Sequence, residues 1–388
     1  MKVYPIAEKE ILFKYSNPIQ LITVANRSFL TRLLLFFNVL AAIALMGAYV
    51  STYISPHTFW PIAFFGLAHP ALLALNLLFV VWWLCRRARK KALISLVIIV
   101  FGITHLPNFF QLSSSRIASS AENTQLKVLS YNVRLFDYYS WSDNKTTRNK
   151  IFSFLKGEDP DIICFQEFYH TDLEGVFETK DILVTFLRAK NIHEKYRYVS
   201  RAKQHFGIAT FSAYPIINRG EIDFEGDLVN HCIYCDIKVN GDVIRVYNAH
   251  LASIQFSRED YEFIENLQVQ GLIYRGRQIG GRLKRAFMRR ATQTEKIVAH
   301  VATSPYPVIV CGDFNDTPVS YCYRQFSSLL TDAFKESSNG IGNTYVGAFP
   351  SFRIDYIFHS SELHSYQFET HSEKLSDHYP ISCVVEVE

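Results

Sequence analysis

Asp313, Asn315 and Asp316 follow directly on a short apolar run, Pro307-Val308-Ile309-Val310-Cys311-Gly312. The run reads as a buried strand. The polar trio falls where that strand ends and a loop begins, with Pro318 closing the turn. The arrangement recurs along the chain. A strand from Leu126 ends at Asn132, with Arg134 two residues on. Pro160–Glu167 ends in Glu167, and Asp242–His250 ends in Asn248 and His250. Arg353–Phe358 carries one inward carboxylate, Asp355. Ser376-Asp377-His378-Tyr379-Pro380 precedes a terminal strand, Ile381 to Val387. Carboxylates, amides and imidazoles of this kind can hold a hard cation and move protons to and from a water. Singly, each is an ordinary turn or strand end. A carboxylate such as Glu167 at the end of an apolar strand is costly unless it is paired or bound to a cation.

The elements that must position these groups are strands. Besides those above, Phe206–Ser212 and Cys232–Val239 alternate as strands do, and a helix is expected over Thr147–Lys156. Many strands, few helices and polar residues at repeated strand ends fit two packed sheets with helices outside.

The first third of the chain is different. Residues 1–124 hold 11 Lys+Arg against 3 Asp+Glu, leaving 29 against 33 for residues 125–388, a net of −4. No charged residue occurs from Leu33 to Cys85, and a second uncharged run extends from Ala92 to Ser115. A spanning helix needs about 20 apolar residues. Three transmembrane helices are therefore expected, at about 30–52, 59–84 and 92–112, after a cytoplasmic segment over 1–28. Arg86, Arg87, Arg89, Lys90 and Lys91 mark the link between spans two and three as cytoplasmic. Three spans then place the rest of the chain on the outer side of a bacterial inner membrane. Residues 113–124, small and polar, read as a tether to the domain at 125–388. His69 and His105 fall within spans and read as neutral residues facing other helices.

The strand-end pieces occur together and in one order: Ser130-Tyr131-Asn132, Asp161 to Glu167, Gly207 to Pro215, Asn248-Ala249-His250-Leu251, Gly312-Asp313-Phe314-Asn315, Arg353-Ile354-Asp355-Tyr356 and Ser376 to Pro380. Over residues 126–385 the sequence resembles the endonuclease/exonuclease/phosphatase superfamily, which includes pancreatic deoxyribonuclease, neutral sphingomyelinases and inositol polyphosphate phosphatases. The resemblance implies an α/β (α+β) four-layer sandwich, two mixed β-sheets flanked by helices, here preceded by an all-α transmembrane region of three helices. It implies hydrolysis of a phosphoric ester with Mg²⁺ or Mn²⁺ as cofactor. In that scheme Glu167 is the main metal ligand, Asn132 lies beside it and Asp377 adds negative charge. Asp313 positions or deprotonates the attacking water, and Asn315 holds Asp313 or a phosphate oxygen. Asp355 orients His378 against the phosphate, and His250 is a second histidine on the phosphate or leaving oxygen. Arg134 replaces the aspartate that some abasic-site endonucleases carry there. It binds a substrate phosphate or pairs with a nearby acid. Asn248 is a weaker substrate-binding candidate.

Two other features are weighed down. Cys232 and Cys235 lie three apart on a strand and so face opposite sides. Together with the other five cysteines they read as buried thiols. Within a helical insertion at about 255–295, Arg275, Arg277, Arg282, Lys284, Arg285, Arg289 and Arg290 run without an acid among them. That segment reads as a basic lid for anionic lipid headgroups or the bilayer surface, as a nucleic-acid groove, or as a solvated helix. A net −4 domain behind a tether favours a lipid headgroup over nucleic acid. Function thus reads as a membrane-anchored phosphoesterase, then as a tethered nuclease. A scaffold that has lost catalysis is the reading from a different class.

Overall fold

A computed structural model describes residues 18–112, 124–142, 146–173, 177–199, 203–227, 229–254, 260, 272–346 and 352–387. The helices are α1 (Pro18–Ser51), α2 (Pro56–Phe59), α3 (Ala63–Leu67), α4 (His69–Cys85), α5 (Arg89–Phe101), α6 (Thr147–Glu158), α7 (Thr179–Phe186), α8 (Leu272–Val301), α9 (Tyr321–Ser327) and α10 (Ala333–Ser337). The strands are β1 (Phe110–Leu112), β2 (Thr124–Asn132), β3 (Ile162–Thr171), β4 (Asn191–Val199), β5 (Gln204–Ser212), β6 (Ile216–Ile222) and β7 (His231–Val239). They continue as β8 (Asp242–His250), β9 (Val308–Asp313), β10 (Thr331–Asp332), β11 (Asn339–Ile341), β12 (Asp355–His359), β13 (His364–Thr370) and β14 (Ile381–Val387).

Side-chain parity builds the sandwich. Leu126 and Val128 of β2, Ile162 and Cys164 of β3, Ile309 and Cys311 of β9, and Ile381 and Cys383 of β14 share one buried core. Their odd-for-even neighbours point the other way. Leu129, Tyr131, Ile163 and Phe165 pack with Ile151 and Leu155 of α6 and Leu183 of α7. Val308, Val310, Tyr356 and Phe358 pack with Ile297 and Val301 of α8 and Phe326 of α9. Strands buried on both faces need apolar side chains at both parities, which is why these runs are continuously apolar. The result is helix on sheet on sheet on helix, the expected four layers. Strand order is β13-β14-β2-β3-β5-β4 in one six-stranded sheet and β10-β12-β9-β8-β7-β6 in the other. Both sheets are mixed. β2 runs parallel to β3, and β8 runs parallel to β9, at the centre of each.

Gly312 is needed where it stands. Its φ is +152°, and a Cβ there would meet the Ala249 carbonyl oxygen at 1.9 Å. Gly312→Ala should therefore cost about 1–3 kcal/mol or more, read as a lowered midpoint in thermal unfolding. An unchanged midpoint would show that β8 and β9 can part.

The membrane reading needs correction. Among the described residues one helix is long and apolar enough to cross a bilayer, Phe29–Ser51 within α1. The second expected span is not one rod. Pro61 and Pro70 interrupt it, and Pro56–Leu67 meets His69–Cys85 at a 54° bend. The third expected span is absent as such. α5 has 13 residues, about 20 Å at 1.5 Å per residue, short of a hydrocarbon core of about 30 Å. It stops at Gly102. A 3-10 turn containing Pro107 follows, and β1 then pairs antiparallel with β11.

The chain divides into two compact units. One comprises residues up to Gly47 plus Ala68–Ile103, the other Ala48–Leu67 plus Thr104–Glu388. In the first, Trp83 Nε1 donates to Asn38 Oδ1 (2.8 Å), Asn38 donates to Ser95, and Ser95 Oγ donates to Asn76 Oδ1 (2.7 Å). These polar groups are buried between α1, α4 and α5, while Phe36, Ile43, Leu78, Val81 and Val97 face outward. In the second unit, Ala48–Leu67 packs on α8. Phe64 meets Phe287 edge to face at 5.3 Å, His57 Nε2 lies 2.8 Å from Thr292 Oγ1, and the Lys284 ammonium sits 5.0 Å over Trp60. The expected boundary at 125 is thus too late, since residues 48–67 and 104–112 already belong to the catalytic unit. Most of the expected tether, 113–123, lies outside the described residues, as do 255–259 and 261–271 of the insertion.

Candidate active site

Both parallel strand pairs end at the same edge of the inter-sheet core. The register sets Asn132 beside Gln166 and His250 beside Asp313, and antiparallel β12 brings Asp355 opposite Asp313. Asn132, His250, Asp313 and Asp355 all carry the parity of the inter-sheet face, so they project where the core ends. Glu167 has the opposite parity and reaches the same place by a bulge. The β3–β5 register shifts between Phe165 and Phe168, and Glu167 takes φ +49°. Phe165 and Phe168 consequently pack on the same side. Bulges that re-aim one side chain gather beside active sites, and left-handed backbone at a non-glycine is a strain that function tends to retain.

Asp313 is the centre of the cluster. Its Oδ2 accepts from Asn132 Nδ2 (3.0 Å) and Asn315 Nδ2 (3.2 Å), and its Oδ1 accepts from the Asn315 amide (2.8 Å). His378 Nε2 and His250 Nε2 each lie 3.7 Å from Oδ2. On its other side His378 Nδ1 meets Asp355 Oδ2 at 2.9 Å. Glu167 Oε1 faces Asn132 Nδ2 (3.4 Å) and His250 Nε2 (3.9 Å). Asp377 pairs instead with Arg134 (3.4 Å). The ligating atoms of Asp313, Asp355 and His378 lie within 4.8 Å of one another, close enough to hold a cation. Two features favour a charge relay there. Asp355 already occupies His378 Nδ1, and a protonated imidazole cannot ligate.

Burial and charge set the protonation states. Burial alone would lower the His378 pKa, but Asp355 and Asp313 outweigh it and hold the imidazole well above its ordinary value. Burial lowers that of His250, which Asp313 only partly offsets, so this ring is neutral. Burial pushes Asp313 up to about 6 against the pull of His378. Glu167 is raised by desolvation and then by Asp377. One histidine is thus a cation and the other a neutral base, separated by their carboxylate neighbours.

Supporting residues complete the cluster, and most were not legible in advance. Arg290, from the run read as a basic lid, is buried. Its guanidinium donates to the Asn315 and Ala252 carbonyls and lies 3.4 Å from Asp316. The lid reading fails for this residue and for Arg282, which pairs with Asp260 (3.3 Å). Asp316 accepts from Thr317 N (3.1 Å) and so starts its loop. Thr344 Oγ1 accepts from the Ile354 and Asp355 amides (2.9 and 3.1 Å), and Ser376 Oγ ties the His378 loop to the Asn132 carbonyl (2.8 Å). Asn248 is fully buried beneath the site. Its amide donates to the Phe165 and Ala209 carbonyls and its oxygen accepts from Gln166 Nε2 (2.8 Å). That commitment joins the two sheets and leaves nothing facing a substrate. All seven cysteines are free thiols, six of them buried, Cys232 and Cys235 included.

Residues 129–378 match the Endonuclease/Exonuclease/phosphatase family. The chain belongs to that family. Residues 31–109 separately match a Domain of unknown function (DUF8431). No curated protein sequence matches the chain. Among solved structures, an endonuclease/exonuclease/phosphatase from Beutenbergia cavernae is similar, at 15% identity and TM-score 0.50, covering 68% of this chain and 72% of its own. A family protein from Bacteroides thetaiotaomicron is similar at 17% identity and TM-score 0.50, covering 69% and 99%. At those identities the likeness establishes the fold. The family match makes the chain a hydrolase of the endonuclease/exonuclease/phosphatase type, and it covers the six clustered groups Asn132, Glu167, His250, Asp313, Asp355 and His378.

Proposed function

We propose that the chain is a membrane-anchored, divalent-metal-dependent phosphoesterase in which Asp313 orients and deprotonates the attacking water. The observation that carries this reading is the buried series Asp355, His378 and Asp313, joined at 2.9 and 3.7 Å. His378, cationic beside Asp355, donates to a phosphoryl oxygen. Asp313, held by three donors from Asn132 and Asn315, accepts the proton of the water. His250 is neutral and its Nε2 is buried with no partner, so it is free for a phosphate or leaving-group oxygen.

The donor set suits a hard cation. Glu167 has no Lys or Arg within ion-pair distance among the described residues, and the orphaned His250 nitrogen beside it marks a gap on the polar side. Glu167, with Asn132 and with Asp377 nearby, would hold Mg²⁺ or Mn²⁺, which when bound supplies positive charge to phosphoryl oxygens.

We favour a lipid headgroup ester as substrate, and nucleic acid second. The long apolar helix and the net −4 of residues 125–388 support that order. The basic link Arg86–Lys91 reads as cytoplasmic, and a catalytic domain on the periplasmic side of a bacterial inner membrane is part of the proposal.

The test uses the full chain in nanodiscs. Chelation with EDTA is expected to abolish turnover of bis(p-nitrophenyl) phosphate, and Mg²⁺ or Mn²⁺ to restore it. Headgroup-labelled vesicles and plasmid DNA, given in parallel, rank the two substrate classes. Absence of metal-dependent turnover on all three would remove the enzyme reading.

A further inference from the structure

Beside the phosphoryl centre lies a cleft of about 200 Å³ whose walls include Arg134, Asp137, Ser142, Lys374 and Asp377. It is continuous with the centre through shared residues. The Arg134 amide donates to Asn132 Oδ1 (3.1 Å), and Ser376, which also lines the cleft, donates its Oγ to the Asn132 carbonyl (2.8 Å). We propose that this cleft is a second-anion subsite, so that the preferred substrate carries a further phosphate near the ester that is cut. The proposal rests on the phosphoesterase reading and names its substrate class.

Four observations carry it. Residues Arg134–Asp137 all take positive φ, from +44° to +61°, a backbone that non-glycine residues adopt only at a cost. That backbone sets Arg134 at the mouth of the cleft. Its guanidinium is stacked 4.5 Å from the Trp141 ring centroid, which restricts its rotamers so that less entropy is lost on binding. Asp377 approaches Nε at 3.4 Å, and a guanidinium carries five N–H donors in a planar fork, more than one carboxylate can occupy. Across the cleft Lys374 is exposed with no acid within ion-pair distance among the described residues. The other acid of the wall, Asp137, keeps its charge but turns its oxygens to its own loop, accepting from the amide (3.2 Å) and hydroxyl of Ser142. Two cations with spare donors thus flank a pocket large enough for a phosphate and its waters, next to a site whose own acids repel anions.

Binding is read without turnover. Trp141 touches Arg134, so its fluorescence reports occupancy. The full chain with Trp60, Trp82 and Trp83 changed to Phe, in phosphatidylcholine nanodiscs, is titrated with propyl phosphate and with propane-1,3-diol bisphosphate. The bisphosphate is expected to bind on the order of tenfold more tightly. Arg134→Gln and Lys374→Gln should each reduce that preference, and Lys374→Gln should leave the affinity for propyl phosphate within about twofold. Doping the nanodiscs with phosphatidic acid tells a lipid-borne second phosphate from a soluble one. If it alone shifts Trp141 fluorescence in an Arg134-dependent way, the second anion belongs to a lipid. Equal binding of the two phosphates with no response to doped discs, or a preference that survives both substitutions, would overturn the subsite. Loss of turnover on bis(p-nitrophenyl) phosphate with the binding preference intact would instead count against the phosphoesterase reading.

Discussion

Asp313→Asn is expected to lower kcat by roughly 10²–10⁴-fold, the usual worth of a positioned general base, with KM for a simple phosphodiester little changed. The amide keeps the size of the carboxylate but cannot take a proton. The fold should survive. Asp313 is buried and its pKa is raised to about 6, so the folded state disfavours its ionised form at neutral pH. Removing that charge is stabilising, and it offsets the clash that the new NH₂ makes with the donors of Asn132 and Asn315. The pH profile gives a second check. Turnover needs Asp313 ionised, so it should rise as pH climbs through about 6. His378 must stay protonated, and its raised pKa puts the falling limb above neutrality. Asp313→Asn should remove the acid limb together with the activity. A variant that retains most of its turnover would take the base role away from Asp313.

Arg353→Ala should be the most damaging single change to the fold of the catalytic unit. Arg353 is fully buried and forms two bonds with Asp332 (Nη1 to Oδ1 at 3.1 Å, Nη2 to Oδ2 at 2.7 Å). Nε donates to the Asn108 carbonyl at 3.0 Å, and Phe334 and Tyr356 lie under the guanidinium. Removing one partner strands a buried carboxylate, which typically costs about 3–5 kcal/mol. For a unit of this size that amounts to roughly 6–20 °C in Tm. Replacing both partners together, Arg353→Met with Asp332→Leu, should recover much of the loss, because the charge is then no longer orphaned. A single variant melting within a degree or two of wild type would show that water reaches Asp332. The position matters for catalysis too. Arg353 lies two residues before Asp355, so loosening it loosens the partner of His378.

The central strands were legible in the sequence and the edge strands were not. Asp242–His250 and Ile381–Val387 match their expected limits, because strands buried on both faces are rich in apolar and β-branched residues. The four edges, β4, β6, β10 and β13, had no such signal. β4 reads Asn-Ile-His-Glu-Lys-Tyr-Arg-Tyr-Val, and exposed edges carry charge that keeps them from pairing with other chains. The six clustered groups were readable as polar ends of apolar strands. Arg290 was not, since it stands in a basic run that resembles a solvent-facing helix. Asp316, an acid without an assigned partner, was the one available hint. Hydropathy also overread the first third of the chain. It counts Pro61, Pro70 and Pro107 as merely non-polar, whereas each removes a backbone donor and ends or bends a helix.

The packing of Ala48–Leu67 on α8 bears on how such a chain can be recombined. Phe64 meets Phe287, three residues before Arg290, and Arg290 grips the Asn315 carbonyl beside Asp313. A piece of sequence that sits between two apolar helices is therefore a wall of the enzyme. Excising the catalytic unit as a separate protein would have to carry residues 48–67 along with residues 104–388.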